Sequence, residues 1–202
     1  MKVVAVMGSY RKGKTIDTLV GRAIEGVVSA DSTAEVETIT LIDRHIEYCR
    51  NCGVCRSEDP AKSIARCAID DDMQEILPMM RDADGYVFGV PIFEGTVNAV
   101  TKTFLERICW TLARPGRWPV RGRGCPEPRS SQRKRAIAIL STGIIVPLLR
   151  RFCDDATPLI KSTIGDSLNA KLVGTLYAGG VEKVGLDRYL GAAFKLGQKV
   201  VG

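Results

Sequence analysis

The chain reads as an α/β protein with an open, doubly wound parallel sheet, and three observations predict it. Five apolar runs rich in β-branched residues are continuous rather than alternating, which suits parallel strands covered on both faces. Helical patterns lie between them, giving a strand–helix alternation. The length of 202 residues suits one well-buried α/β domain spanning 1–202 and is short for two.

The elements follow in order. The predicted strands are Val3 to Met7, Val36 to Leu41, Tyr86 to Val90, Ala136 to Leu140 and Leu172 to Tyr177. The clearest helix is Thr15 to Ser29, where Ile16, Leu19, Val20, Ala23, Ile24, Val27 and Val28 share one face. Further helices are expected over Asp71 to Arg81, Thr96 to about Thr111, roughly Val146 to Lys161, and Leu186 to Val201. Asp70, Asp71 and Asp72 place negative charge where it suits a helix N-terminus. Two segments read as insertions, Arg56 to Arg66 and Arg114 to Arg133. Ligands of such sheets bind at the carboxyl ends of the strands.

Hydrophobic residues at 45% and charged residues at 26% are the balance of a soluble globular chain, with no spanning helix and no signal-peptide pattern, so a cytoplasmic protein is expected. The formal charge of +6 is concentrated between Arg117 and Arg135, where Glu127 is the lone acid. Aromatic residues are not interleaved there and no recognition motif accompanies it, which argues against nucleic acid as a partner. The stretch reads as a solvated loop or as a site for an anionic partner or phosphorylated nucleotide. His45, the sole histidine, has no triad context. Trp110 and Trp118, flanking the basic loop, read as packing residues.

"GSYRKGKT", Gly8 to Thr15, fits the G-x-x-x-x-G-K-[ST] pattern of nucleoside triphosphatases. A glycine-rich turn between a strand and a helix aims backbone N–H groups at an anion whichever ligand it serves. A triphosphatase also needs a metal-holding aspartate, for which Asp43 is a candidate, and a second nucleotide motif that does not follow. Ser9, Tyr10, Arg11 and Thr15 would equally hold a terminal monophosphate through charge-assisted hydrogen bonds. "GVPIFEGT" and "LSTGI" end the third and fourth strands, and the three loops together make a slot for a planar ring with a phosphate at one end.

"YCRNCGVCRSEDPAKSIARC" sets Cys49, Cys52, Cys55 and Cys67 in a C-x2-C-x2-C-x11-C pattern, crowded for core cysteines. Such thiolates can wrap one iron–sulfur cube. Zinc, a redox disulfide or no metal are the alternatives, although structural zinc usually takes two separated C-x2-C knuckles. Cys109 and Cys153 read as core residues and Cys125 as exposed.

"GSYRKGKT", "DDDM", "ADGYVFGVPIFEGTVNAVTKTFLER" and "YAGGVEKVGLDRYLGAAFKLGQ", in that order over nearly the whole chain, resemble the NADPH-dependent FMN reductase family of flavodoxin-like proteins. The resemblance implies strand order 2-1-3-4-5, FMN as cofactor, and homodimers or homotetramers with flavins near the subunit contacts. By position it implies that Ser9, Arg11, Gly13, Lys14 and Thr15 hold the FMN phosphate. Pro91, Ile92, Phe93, Glu94, Gly95 and Thr96 would line the ring, with Ser141, Thr142 and Gly143 on its other side. Lys14 stands where the family often has asparagine or another polar residue, and Phe93 where it commonly has tyrosine. The cysteine pattern running into "IDDDM" is similar to the iron–sulfur flavoprotein branch, in which Cys49, Cys52, Cys55 and Cys67 would bind a [4Fe-4S] cluster, although eleven residues before the last cysteine are more than that branch usually has.

The expected function is therefore electron transfer between a [4Fe-4S] cluster and FMN, served by a small carrier such as ferredoxin, with no side chain acting as acid or base. One alternative is an NAD(P)H-dependent FMN or quinone reductase without a cluster, in which Arg107 or the basic loop meets the nucleotide phosphates. A P-loop nucleotide-binding switch or kinase is the other.

Overall fold

The computed structural model describes residues 1–116 and 125–202. Its main sheet carries the strands β1 (Lys2–Met7), β2 (Glu35–Thr40), β3 (Gly85–Phe93), β7 (Lys134–Thr142) and β8 (Ala170–Gly179) in the order β2-β1-β3-β7-β8. All neighbours on this path run parallel, which is the expected 2-1-3-4-5 order. The two-residue strand β4 (Thr96–Val97) folds back antiparallel onto Ile92 and Phe93 at the end of β3.

Helices α1 (Thr15–Ala30) and α6 (Asp187–Val201) cover one face; α2 (Met73–Asp82), α3 (Ala99–Leu112) and α4 (Ala156–Leu168) cover the other. Ile16, Leu19, Val20, Ala23 and Val27, the predicted stripe of α1, pack with Tyr189, Ala193 and Leu196 over Val3, Ala5 and Val87. The second core layer joins Phe88, Tyr86 and Leu140 to Ile76, Met80, Phe104 and Ile160. α1 and α6 touch backbone to backbone: a Cβ on Gly197 would stand 1.9 Å from the Ala23 carbonyl oxygen, so only glycine allows this approach.

Two predicted elements differ. The helix expected from Thr96 begins at Ala99, because Glu94 (φ 47°) and Gly95 (φ 76°) reverse the chain and commit Thr96 and Val97 to β4; Asn98 then caps the helix by accepting from the Thr101 amide. The helix expected from about Val146 to Lys161 is a 3-10 turn, Pro147–Phe152, followed by α4, which runs on to Leu168. Asp154 separates the two: its Oδ1 takes the Thr157 amide at 2.9 Å, starting the new helix. Smaller features are a 3-10 turn at Leu41–Asp43, an antiparallel pair β5 (Ala113–Pro115) and β6 (Pro126–Pro128), and the single-turn α5 (Val181–Val184). Residues 117–124, the first part of the basic stretch and including Trp118, lie outside the described residues.

Lys134 begins β7 and is 2% exposed; its Nζ donates to the Arg81 carbonyl and, at 3.1 Å, to Tyr86 Oη. Burial pushes its pKa down to about 8, with Asp84 and Asp82 opposing. Between pH 8 and pH 10 the unfolded chain therefore binds a proton that the native chain has lost, and stability rises with pH. Above pH 10 the buried Tyr86, whose pKa is raised, acts in the opposite sense. Unfolding free energies from urea titrations across that window should climb by on the order of 2 kcal/mol in the native chain and stay nearly level in Lys134→Met.

Candidate flavin cleft and cysteine loop

A cleft of about 610 Å³ opens at the carboxyl ends of β1, β3, β7 and β8. The turn from Gly8 to Lys14 supplies Ser9, Tyr10, Arg11 and Lys14, and α1 adds Thr15 and Ile16. Pro91, Ile92 and Phe93 form a second wall, Ser141, Thr142 and Gly143 a third, and Val181, Glu182 and Leu186 close the remaining side.

The turn is held by its neighbours. Gly8 donates to the Gly89 carbonyl at 2.8 Å, and the Asn98 amide donates to the Gly8 carbonyl. A Cβ on Gly8 would meet Thr101 Oγ1 at 2.1 Å, so the turn lies directly against α3. Ser9 Oγ accepts the Arg11 amide at 3.1 Å and donates to the Arg11 carbonyl, tightening the bend. Tyr10 Oη accepts the Ala99 amide at 3.1 Å while its ring meets Phe93 edge-on at 5.8 Å. No side chain caps α1 at Lys14, so its first-turn N–H groups form an uncapped positive end of the helix dipole. Among the described residues Arg11 and Lys14 make no ion pair. Unpaired cations, hydroxyls and open amides in a cleft also lined by Pro91, Ile92, Phe93, Ser141, Thr142 and Gly143 are what a phosphorylated planar ligand requires.

Ser9, Arg11, Lys14, Thr15, Pro91, Ile92, Phe93, Ser141, Thr142 and Gly143 thus line one cleft. Gly13, Glu94, Gly95 and Thr96 stand outside its lining: the Gly13 amide is taken by Asp17 Oδ2 at 2.6 Å, and the other three make the reversal into β4. Tyr10, expected with the hydroxyls of the phosphate turn, also lines the cleft, whereas Ile16, Val181, Glu182 and Leu186 were not expected. The last three come from "GVEKVGL", whose glycines mark the turn that returns the chain over the strand ends. Asp43, the triphosphatase candidate, is paired with Lys12 on the surface.

The cysteine segment leaves the carboxyl end of β2 and packs on α3 through the 3-10 turn Val54–Ser57. Cys49 and Cys52 are exposed, Cys55 and Cys67 half-buried. Burial, followed by the charges of Cys67, Cys49 and Cys52, pushes the Cys55 thiol up. Among the described residues no three His, Cys, Asp or Glu side chains close into a metal-binding group.

Two arginines fasten this segment. Arg129, beside β6, donates to the carbonyls of Ala113, Asp59, Lys62 and Cys55, tying the two inserted segments to each other. Arg107, on α3, forms a bidentate pair with Asp71 and also donates to the Glu47 carbonyl (2.7 Å) and to Cys67 Sγ (3.5 Å). The Arg107 and Asp71 side chains are 1% and 0% exposed, so the expectation that Arg107 meets a nucleotide phosphate is corrected: it faces the interior. Burial works against the Asp71 carboxylate, but Arg107 and the amides of Glu47 and Met73 outweigh it and hold its pKa below the usual range. Asp71 thus both begins α2, taking the Met73 amide, and neutralises Arg107.

Residues 1–145 match the model of the NADPH-dependent FMN reductases, well over half of the sequence. The chain belongs to that family. An iron–sulfur flavoprotein of Methanosarcina thermophila is 35% identical over 107 residues, 53% of this chain and 52% of that protein. One of Methanocaldococcus jannaschii is 35% identical over 107 residues, covering 53% of this reductase-family chain and 51% of its own. The chain therefore spans about half the length of these relatives. An NAD(P)H:quinone oxidoreductase from Methanothermobacter marburgensis superposes with a TM-score of 0.69 at 16% identity, over 98% of each chain. An FMN-dependent NADH-azoreductase of Bacillus anthracis, solved with FMN, gives 0.65 at 12% identity, over 98% of this chain and 97% of that one. At these identities the structural likenesses establish the flavodoxin-like fold. No helix among the described residues is long and apolar enough to cross a membrane.

The Arg107–Asp71 pair yields a stability test. Arg107→Met leaves a buried carboxylate without its cation and should cost about 3–5 kcal/mol, whereas the double variant Arg107→Met/Asp71→Asn should recover much of that loss. Urea unfolding of the two variants measures the difference; a single variant within about 1 kcal/mol of the native protein would contradict the pair's burial.

Proposed function

We propose that this protein is an FMN-dependent oxidoreductase that passes electrons between a flavin in the cleft and a [4Fe-4S] cluster on the cysteine loop. The observation that carries the flavin half is the cleft itself: Arg11 and Lys14, without ion-pair partners, share its lining with Ser9, Thr15, Pro91 to Phe93 and Ser141 to Gly143. FMN bound there supplies the ability to take electrons singly or in pairs. Ser9, Arg11, Lys14 and Thr15 hold its phosphate, the α1 terminus adds its dipole, and Phe93 with Ile92 shields the ring from water. Glu94, Gly95 and Thr96 support the ring wall from behind through the turn into β4, and Gly13 shapes the phosphate turn with its positive φ.

The cluster half is supported by the donor set. Cys49, Cys52, Cys55 and Cys67 belong to one segment of the chain, with the Arg107 guanidinium and the Ile69 amide already donating to Cys67 Sγ. Cys49, Cys52, Cys55 and Cys67 would hold the iron, the exposed pair closing onto the half-buried pair, since a preformed site is not required for metal to bind. The iron–sulfur flavoproteins among the relatives favour the same reading. A small carrier such as ferredoxin then delivers electrons at the exposed Cys49–Cys52 end, and NAD(P)H serves as the donor in its absence. The exposed apolar side chains Ile144, Leu148, Leu149 and Phe152, which follow Gly143 in the chain, support the homodimer or homotetramer expected of the family.

A second reading, an NAD(P)H-dependent FMN or quinone reductase without iron, is favoured by the absence of a closed metal-binding group among the described residues. Anaerobic purification separates the two. The first reading requires FMN together with iron and acid-labile sulfide near four per chain. Cys52→Ala should then lose the iron and keep FMN. FMN without iron in the native protein would establish the second reading.

A further inference from the structure

We propose that Glu182 limits how much negative charge the cleft accepts, so that a ligand ending in a single phosphate is favoured over one ending in two or three. The inference rests on the flavin reading above and deepens it by naming what selects the ligand. The amides, hydroxyls and cations of the Gly8–Thr15 turn attract any phosphate, and the same turn fits the triphosphatase pattern. Selection by charge number therefore needs a second element. Glu182 is the one acid among the described residues that line the cleft, which it shares with the cations Arg11 and Lys14. Among the described residues it forms no ion pair with either of them or with any other cation.

Backbone geometry holds this carboxylate on the third wall of the cleft. The four-residue α5 stands between Gly180 (φ 67°) and Gly185 (φ 78°), positive values that turn the chain sharply after β8 and again before α6. The Glu182 amide donates to the Gly143 carbonyl at 3.3 Å. Its side chain then lies across Gly143: a Cβ there would stand 2.4 Å from Glu182 Oε1 and 2.8 Å from Cδ, so any larger residue at 143 would displace the carboxylate. Lys183, the next charge in the chain, lies outside the lining. Two cations against one carboxylate leave the lining a formal charge of +1, to which the uncapped α1 terminus adds about half a charge. That total lies close to the roughly −1.5 to −2 of a terminal phosphate, with the sign reversed. Each further phosphoryl group brings negative charge that the cleft does not balance and that Glu182 repels.

The test measures dissociation constants for riboflavin, FMN and riboflavin 5′-diphosphate, which share one ring and differ in charge. The proteins are the flavin-free native chain, Glu182→Gln, Glu182→Lys and, as a control, Lys183→Gln, each at ~0.01 M and ~0.5 M salt. Across a cleft on the order of 10 Å wide, Glu182→Gln at low salt should leave riboflavin unchanged, tighten FMN about threefold and tighten the diphosphate about fivefold. Glu182→Lys should square each factor. Lys183→Gln should leave the ratios among the three flavins as they are in the native chain, and high salt should bring every factor close to unity. A change in riboflavin affinity overturns the proposal, because Glu182 would then contact the ring or the ribityl chain rather than act through charge. Equal factors for FMN and the diphosphate, or factors that persist at high salt, also overturn it. So does a diphosphate that none of the four proteins binds, because the shape of the turn would then do the selecting. Failure of the native chain to bind FMN removes the flavin reading and the inference together, an outcome distinct from the others.

Discussion

The constraint on which the candidate sites depend is the parallel pairing of β1, β3 and β7. It sets Met7 beside Gly89 and Pro91 beside Ser141, so three chain segments leave the sheet side by side and in the same direction. The Gly8 amide continues the ladder by one more bond, to Gly89, before the chain turns away. Every wall of the cleft except that from α5 and Leu186 descends from this register. A one-residue slip would exchange the buried and cleft-facing positions of β3 and dismantle the phosphate turn and the ring wall together.

Helix α3 joins the cleft to the cysteine loop. At its start, Asn98 takes the Thr101 amide and hydroxyl on Oδ1 while its side-chain amide donates to Gly8. Nine residues further on, roughly 13 Å along the axis, Arg107 holds the cysteine segment. Both interactions are buried and polar, and each depends on a partner distant in sequence, so neither loop can shift without leaving a desolvated group unpaired. The same rigid helix therefore fixes the phosphate turn and the cysteine loop relative to one another.

Much of this was legible in the sequence. Continuous β-branched runs located all five main strands, and the glycine turn followed by the Ile16–Leu19–Val20–Ala23 stripe located the phosphate loop and α1. What escaped was set by contacts distant in the chain or by backbone geometry. Nothing local to "FLERICW" shows that Arg107 is buried, because its partner Asp71 lies 36 residues away. The start of α3 was misplaced because Glu94 adopts a positive φ that residue type does not announce. The apolar pattern of Val146 to Phe152 suggested a helix face, yet Leu148 is 87% and Phe152 70% exposed, so that pattern describes a surface rather than a core. The Val181–Leu186 wall was invisible as a site because single-turn helices carry no periodic signal.

The central claim is that the Gly8–Thr15 turn is built for the single phosphate at the tail of FMN, despite its literal match to a triphosphatase motif. Calorimetric titration of flavin-free protein with FMN, riboflavin and magnesium-ATP tests this most directly. FMN should bind at least about tenfold more tightly than riboflavin, the worth of one charge-assisted phosphate contact, and ATP should not compete. Equal affinity for FMN and riboflavin, or displacement of FMN by magnesium-ATP, would contradict it.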